Sequence, residues 1–167
     1  MESREWDYDT GLARAQSYCA GAEHCSSEVA AMLERHGLSR DKISGILESL
    51  ARDGFTDESR YARAFVSDKI RFARWGRRKI GPALKMKHID GAIVSQALED
   101  IDMQVYMEVL EKVVRACYRQ VKAPAGYARN MKTLKSAVSR GFEPELVRRF
   151  LPNAGGEELP EIFDNTL

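Results

Sequence analysis

The stretch SSEVAAMLERHGLSRDKISGILESLARDG, residues 26–54, predicts two short helices joined by a tight turn. Ser26 is a predicted N-cap for the first helix, and Gly37 is its left-handed terminator. Ser39 is predicted to cap the second helix, which Gly54 closes. That second helix carries one apolar stripe at spacings of three, four and seven residues, formed by Ile43, Ile46, Leu47 and Leu50. The spacing predicts one buried face and one solvated face.

This unit recurs along the chain. A shift of 51 residues places an apolar residue on an apolar residue at six positions: Val29 on Ile80, Leu33 on Leu84, Leu38 on Ile89, Ile43 on Val94, Leu47 on Leu98 and Leu50 on Ile101. Ser39 falls on Asp90, which is another good N-cap. A weaker third copy aligns Gly141 with Gly37 and Phe142 with Leu38, and places Val147 and Leu151 in the stripe.

A longer amphipathic helix precedes each copy. We predict these helices at Leu12–Ala20, Ser59–Phe72 and Met103–Lys122. Three helices per unit predict an all-α fold of tandem three-helix bundles in an elongated array that can curve. The predicted modules are residues 10–54, 55–101 and 102–151, between an acidic extension (1–9) and a flexible acidic tail (152–167).

Composition favours a soluble, folded protein. Of 167 residues, 44% are hydrophobic and 31% are charged, which suffices for a core under an ionised surface. No uncharged apolar run reaches about 18 residues, and the N-terminus is acidic where a secretory signal would be basic, so we expect a cytoplasmic protein. The three cysteines, Cys19, Cys25 and Cys117, form no Cys-x-x-Cys pair, and we interpret them as reduced thiols.

The net charge of +1 conceals blocks of opposite sign. Residues 1–59 have a net charge of −6, residues 60–88 of +9, residues 89–111 of −6, residues 112–149 of +8, and the remainder of −4. A randomly solvated surface would mix the signs more evenly. The first basic block is therefore predicted to face an anionic partner.

The run DESRYARAFVSDKIRFARWGRRKI, residues 57–80, resembles the central signature of the RecX family of recombination regulators. The resemblance covers about residues 10–151, with residues 26–55 similar to the family's first module and Gly141-Phe142 similar to the turn of its third. It implies tandem three-helix bundles without catalytic residues or cofactors. It further implies binding along the groove of the RecA filament, with restraint of its growth, ATP hydrolysis, strand exchange and coprotease activity.

Two positions depart from the family pattern. His88 stands where most relatives carry glycine, so a non-glycine residue is expected to hold a left-handed turn. Pro82 lies inside the predicted second short helix and lacks the N–H that would reach the Arg78 carbonyl, so we expect a kink or a late start of that helix. This second departure bears on the placement of Arg77, Arg78 and Lys79.

The densest candidate contact region is the run from Lys69 to Lys87. It has eight basic residues, no acidic residue, and two interleaved aromatic residues, Phe72 and Trp75. Such a run attracts phosphates or an acidic protein face. For the two aromatics, the helical stripe favours core packing over stacking on a base. A second strip in residues 112–149 has structural and binding interpretations of equal weight. The candidate contact residues are Lys69, Arg71, Arg74, Trp75, Arg77, Arg78, Lys79, Lys85, Lys87, Arg129, Lys132, Lys135 and Arg140.

Enzymatic sites find little support in the sequence. His24 and Cys25 lack the acidic ligands or orienting partner that a metal site or a nucleophile needs. Gly76 to Gly81 has the glycine spacing of a phosphate loop, but Pro82 and Ala83 stand where Lys and Ser or Thr are required. We therefore expect no enzyme and no metal, and a monomer that binds the RecA filament, with single- or double-stranded DNA contacted through the basic strips. The alternative is a helical DNA-binding module that acts without RecA.

Overall fold

The computed structural model describes residues 5–152. Within that range the chain forms nine α-helices and no β-strand, so the predicted all-α fold is confirmed. The helices are α1 (Tyr8–Gly21), α2 (Ser26–Arg35), α3 (Arg40–Arg52), α4 (Glu58–Arg71), α5 (Arg77–Met86), α6 (Gly91–Glu99), α7 (Met103–Gln120), α8 (Tyr127–Ser139) and α9 (Pro144–Arg148). None of these described helices combines the length and the apolar character needed to cross a bilayer.

The chain divides into two compact units. Unit 1 contains the residues up to Phe65 together with Ala83–Asp100, and unit 2 contains Val66–Pro82 together with the residues from Ile101 onward. Helices α4 and α5 therefore each contribute residues to both units. The three module boundaries given above stay a prediction, and the acidic tail from residue 153 lies outside the described residues.

One hydrophobic cluster of unit 1 lies among α1, α2 and α3. Its buried side chains are Ala15, Val29, Leu33, Leu38, Ile43, Ile46 and Leu50. Helix α1 begins earlier than predicted because Asp7 caps it, with the Asp7 carboxylate accepting from the Thr10 amide at 2.8 Å. Gly11 permits close packing there, since a Cβ on Gly11 would lie 2.7 Å from the Leu38 side chain.

The core of unit 2 is built on α7, which packs against α8 and α9. Helix α7 buries one face at helical spacing: Tyr106, Leu110, Val113, Val114 and Cys117. Leu134 and Ala137 of α8, with Phe142 and Val147 after it, are also buried. The apolar positions of the weak third copy, Phe142, Val147 and Leu151, therefore lie inside, as predicted.

The repeat predicts burial well. In four of the six aligned pairs both residues are buried: Val29 and Ile80, Leu33 and Leu84, Leu38 and Ile89, Ile43 and Val94. Leu47 and Leu98 are half-buried in both copies, and Leu50 is buried where Ile101 is half-buried. Asp90 caps α6 by accepting from the Ala92 amide at 2.9 Å, whereas Ser39 occupies the equivalent cap position of α3 without a side-chain hydrogen bond.

The left-handed turns also repeat. Gly37, His88 and Gly141 have φ of 82°, 61° and 94°, so His88 holds the left-handed conformation as expected. After each of them, the next amide donates to the carbonyl five residues back: Leu38 to Leu33, Ile89 to Leu84 and Phe142 to Ala137. This is the hydrogen bond of a Schellman motif, which ends helices α2, α5 and α8.

The predicted burial of Phe72 is wrong. Helix α4 buries Tyr61, Ala62, Val66 and Ile70 and ends at Arg71, so Phe72 lies beyond its last turn and is 80% exposed. Phe65 and Phe72 are seven residues apart, a spacing that predicts a shared apolar face. In the structure Phe65 is half-buried, and the buried stripe of α4 lies on other residues.

Two expected helix starts differ in detail. Cys25, rather than Ser26, occupies the N-cap position of α2, and the Ser26 amide instead donates to the Glu58 carboxylate at 2.8 Å. Helix α5 does not begin late, since it starts at Arg77 and continues through an exposed Pro82. Pro82 supplies no amide to the Arg78 carbonyl.

Candidate partner-binding surface

The two units carry opposite net charges. Among the described residues, unit 1 has 9 basic and 14 acidic side chains, a net charge of −5. Unit 2 has 16 basic and 6 acidic side chains, a net charge of +10. Most basic residues of the two basic blocks thus belong to unit 2, which is the cationic part of the chain. An anionic partner is attracted to unit 2 and repelled by unit 1.

The turn between α4 and α5 gathers cations around one aromatic ring. The Lys69 and Lys79 ammonium groups lie 4.7 and 4.4 Å from the centre of the half-buried Trp75 ring. Both distances are within the range of a cation–π interaction. Arg74, one residue earlier, is exposed and has a φ of 56°, a left-handed conformation that a non-glycine residue rarely adopts.

This turn is fastened to the left-handed turn between α8 and α9. The Gly76 amide donates to the Arg140 carbonyl at 2.9 Å, and the Arg78 amide donates to the Gly141 carbonyl at 3.1 Å. A Cβ on Gly76 would lie 2.2 Å from the Gly141 carbonyl carbon and oxygen, so only glycine permits this approach. We call the resulting surface of unit 2 the Trp75 junction, formed by Lys69, Arg74, Trp75, Arg78, Lys79 and Arg140.

The junction joins the two basic blocks that the sequence analysis treated as separate strips. Lys79 comes from the first block and Arg140 from the second. Arg74, Arg78, Lys79 and Arg140 are all exposed. No local pattern indicates this meeting, because it depends on a backbone contact between Gly76 and Gly141, which are 65 residues apart.

Arg77 lies beside the junction but has partners inside unit 2. Its Nε lies 2.6 Å from the carboxylate of the buried Glu143, and its guanidinium lies 5.0 Å from the centre of the Tyr106 ring. The Tyr106 hydroxyl donates to Glu143 at 2.7 Å and accepts from the Arg77 amide at 3.1 Å. Burial, followed by the hydrogen bond to Glu143, raises the pKa of Tyr106 well above its ordinary value, so the hydroxyl remains protonated. This cluster anchors the start of α5 to α7.

Lys87 has an internal partner in unit 1. Its ammonium donates to the Glu28 carboxylate at 2.6 Å, and Glu28 also accepts from the Tyr61 hydroxyl at 3.0 Å. Burial acts against the charged form of Glu28, but hydrogen bonds from Lys87, His24 and Tyr61 outweigh it, so the pKa of Glu28 lies below its ordinary value. The hydrogen bond to Glu28 raises the pKa of Lys87.

The remaining predicted contact residues lie at different places. Arg71 ends α4, and Lys85 lies on α5 in unit 1; both are exposed. On α8, the Arg129 guanidinium lies 5.1 Å from the centre of the Tyr118 ring, and Lys132 donates to the Lys122 carbonyl at 3.3 Å. Lys135 is exposed. The role of all these residues in binding a partner stays a prediction.

Phe72 is the surface residue that sequence reasoning misassigned. It follows α4 directly, between the exposed Arg71 and the half-buried Ala73, and its amide continues the helical pattern by donating to the Asp68 carbonyl at 2.9 Å. The signal that was available is the position itself, because Phe72 is the first residue of the Phe72–Gly76 turn between α4 and α5.

The His24 and Cys25 pair contributes to structure. His24 Nδ1 lies 2.9 Å from Glu28, and the His24 ring stacks on Tyr18 with centres 3.6 Å apart. Cys25 is buried at the cap of α2. Both residues therefore take part in the packing and contacts around the start of α2.

The chain resembles known proteins in sequence and in structure. Residues 57–98 match the family model described as RecX, second three-helix domain. A regulatory protein RecX of Lactobacillus johnsonii is 26% identical over 135 residues, and one of Halorhodospira halophila is 26% identical over 129 residues. The chain is therefore similar to RecX proteins over most of its length. The matches cover 81% and 77% of this chain, and the RecX proteins are named as regulatory proteins.

The extent of the match differs among RecX proteins. The aligned region spans 50% of the L. johnsonii protein and 78% of the H. halophila protein, so the chain covers about half the length of the first relative. The crystal structure of RecX from Lactobacillus salivarius superimposes with a TM-score of 0.76, covering 86% of this chain and 93% of that chain at 20% identity. This structural likeness establishes the RecX fold of three-helix repeats.

Proposed function

We propose that this protein regulates homologous recombination in the cytoplasm by binding the RecA filament on DNA, mainly restraining its extension. Reduced ATP hydrolysis, strand exchange and coprotease activity follow from that restraint. The mechanism is binding by a monomer, and no bond is made or broken in the partner. The observation that carries the proposal is the net charge of +10 on unit 2, five of whose basic side chains lie at the Trp75 junction, in a chain similar to RecX proteins.

The contacts of the junction support a role in binding. Arg74, Lys79 and Arg140 are exposed, whereas Arg77 and Lys87 are engaged by Glu143 and Glu28. A filament on DNA offers acidic protein surface and phosphates together, and both attract such a surface. The fastening of Gly76 to Arg140 holds the cations in place before binding, which lowers the entropy lost on association.

Co-sedimentation tests the proposal directly. The purified chain is incubated with RecA, single-stranded DNA and a non-hydrolysable nucleotide, and the expected result is that it pellets with the filaments. In a second assay with ATP, it should inhibit the DNA-dependent ATPase of RecA. If a several-fold excess left both ATPase and filament length unchanged, the proposal would be wrong.

A second candidate function is a helical DNA-binding module that needs no RecA. The exposed Phe72 beside the cationic junction favours it, since cations with an exposed aromatic form a common surface for nucleic acids. Affinity measured over a salt series separates the two functions. A pure DNA binder loses affinity steeply as salt rises and pellets with DNA equally well when RecA is omitted.

A further inference from the structure

The strongest unexplained feature near the junction is the exposure of Phe72. A single exposed apolar side chain is ordinary on a protein surface. Phe72, however, is 80% exposed and stands between cationic residues, with Arg71 before it and the left-handed Arg74 two positions after it. Left-handed conformations at non-glycine residues, such as that of Arg74, persist where the surrounding structure fixes them, and they cluster at functional sites.

The turn that carries Phe72 is held at both ends. Before the turn, the Phe72 amide donates to the Asp68 carbonyl at 2.9 Å. After it, the Trp75 amide donates to the Lys69 carbonyl and the Gly76 amide donates to the Arg140 carbonyl, both at 2.9 Å. The exposed ring is therefore presented on a fixed frame within unit 2, with little backbone freedom to lose when a ligand binds.

The surroundings of the ring indicate the chemistry of that ligand. A protein anchor residue is usually surrounded by further apolar contacts that exclude water. Next to Phe72 along the chain, Arg71 and Arg74 are exposed cations, Asp68 one helical turn earlier is an exposed acid, and the run from Lys69 to Lys87 contains no acid. Cations that follow a phosphate backbone, together with an aromatic that stacks on a base, are typical of surfaces for single-stranded nucleic acid. In a duplex, both faces of each base are already covered by its neighbours.

We propose that Phe72 stacks on an unpaired base of single-stranded DNA while Lys69, Arg74 and Lys79 contact the flanking phosphates. Phe72 then gives the junction a preference for single strands over duplexes that charge alone does not provide. The inference deepens the proposed function, on which it rests for the assignment of the junction as the contact surface.

Binding to DNA alone tests this inference without RecA. The affinity of the full chain for a short oligo(dT) and for a duplex of equal length is measured by fluorescence anisotropy over a salt series. Phe72→Ala should weaken single-strand binding by about tenfold, the size of one base–aromatic stack, and leave duplex binding within about twofold. The salt dependence should not change, because it counts phosphate contacts. Phe72→Trp should restore single-strand affinity.

Met86→Ala is the matched control. Met86 is also 80% exposed and lies between two lysines, Lys85 and Lys87, but it has no aromatic face. Its substitution should change neither affinity. Because both side chains are exposed, circular dichroism should report an unchanged fold for both variants.

Tryptophan fluorescence locates the contact. The chain has two tryptophans, Trp6 and Trp75, so Trp6→Phe leaves Trp75 as the reporter. Oligo(dT) should quench Trp75 at the concentration at which anisotropy rises. No change in Trp75 emission on binding would place the DNA elsewhere and overturn the inference.

Other outcomes are equally decisive. Equal loss of single-strand and duplex affinity in Phe72→Ala, or no loss of either, would contradict base stacking. If Phe72→Ala abolished co-sedimentation with RecA filaments but kept DNA affinity, Phe72 would be a protein anchor and the inference would be wrong. Stacking in the DNA assay without any effect of the chain on RecA would instead contradict the proposed function and leave this inference standing.

Discussion

At the scale of single residues, three left-handed positions end the equivalent helices, and one of them is not glycine. Gly37 and Gly141 adopt this conformation without a Cβ, whereas His88 carries a side chain at φ 61°. The Cβ of an L-residue crowds the carbonyl oxygen in this region, although histidine is better tolerated there than β-branched residues are. His88 is exposed, so its side chain gains little from packing.

His88→Gly should therefore stabilise the protein. Removing the Cβ at φ 61° should raise the free energy of unfolding by about 1 kcal/mol, which corresponds to roughly 2–4 °C in melting temperature. Urea and thermal unfolding measure it. Gly54→Ala is the reciprocal control, because Gly54 has φ 76° and open space around it, so only backbone strain is added and stability should fall by about 1 kcal/mol. A stability loss in His88→Gly would contradict the strain argument.

Gly76 is the residue on which the junction depends. A Cβ there would lie 2.2 Å from the Gly141 backbone, which cannot move aside as a flexible side chain would. Gly76→Ala should lower the free energy of unfolding by about 3 kcal/mol, measured by urea denaturation. Gly91→Ala is the control, since nothing lies within 4 Å of a Cβ there and the alanine favours helix α6. Similar effects of the two substitutions would show that the close approach does not matter.

At the scale of secondary-structure elements, one docking arrangement occurs twice with different chemistry. In unit 1 the start of α2 contacts the turn after α5, where the Ser27 hydroxyl donates to the Lys87 carbonyl at 2.7 Å. In unit 2 the start of α5 contacts the turn after α8 through two backbone hydrogen bonds. A tyrosine of the following long helix completes each arrangement, Tyr61 with Glu28 and Tyr106 with Glu143. The repeat therefore includes the way in which its copies join.

The unit 1 arrangement predicts a pH dependence of stability. Because the pKa of Glu28 is lowered in the folded state, its contribution is present above the ordinary value of about 4.5 and is lost as pH falls through the lowered value. Glu28→Gln should cost about 1–2 kcal/mol at neutral pH and flatten the stability profile in the acidic range. Thermal unfolding from neutral to acidic pH measures it. Glu34→Gln, exposed on the same helix, should keep the wild-type profile, and an unchanged profile in Glu28→Gln would contradict the assignment.

At the scale of the whole molecule, charge is divided between the units rather than spread over both. Unit 2 has a net charge of +10 and unit 1 of −5, although the full chain has only +1. The overall charge therefore says little about binding. If unit 2 contacts phosphates, DNA affinity should depend on which basic residue is substituted as well as on the net charge of the protein.

Neutralising the junction tests this division. The variant Arg74→Gln, Lys79→Gln, Arg140→Gln should reduce the slope of log affinity against log salt for single-stranded DNA by about two, because three phosphate contacts are lost. Fluorescence anisotropy over a salt series measures the slope. The control Arg40→Gln, Lys42→Gln, Arg63→Gln changes the net charge equally on exposed residues of unit 1 and should keep the slope. Equal losses would mean that binding follows net charge alone.

Local patterns along the chain predict the helices, their repeat and most of the core. Apolar spacing and caps act within one helix and its turn, so the four buried pairs, the Asp90 cap and the left-handed His88 could all be predicted locally. The basic blocks were equally visible, since charge is a property of composition.

Long-range packing determines which charged groups pair with an internal partner and where the exposed ones meet. In the sequence, Arg77 and Lys87 resemble the other basic residues of the run. In the structure they pair with Glu143 and Glu28, each more than fifty residues away in sequence. The meeting of Gly76 with Gly141 and the exposure of Phe72 likewise depend on how helices end and pack. Periodicity describes one helix at a time, whereas ion pairs and close backbone contacts join residues that only folding brings together.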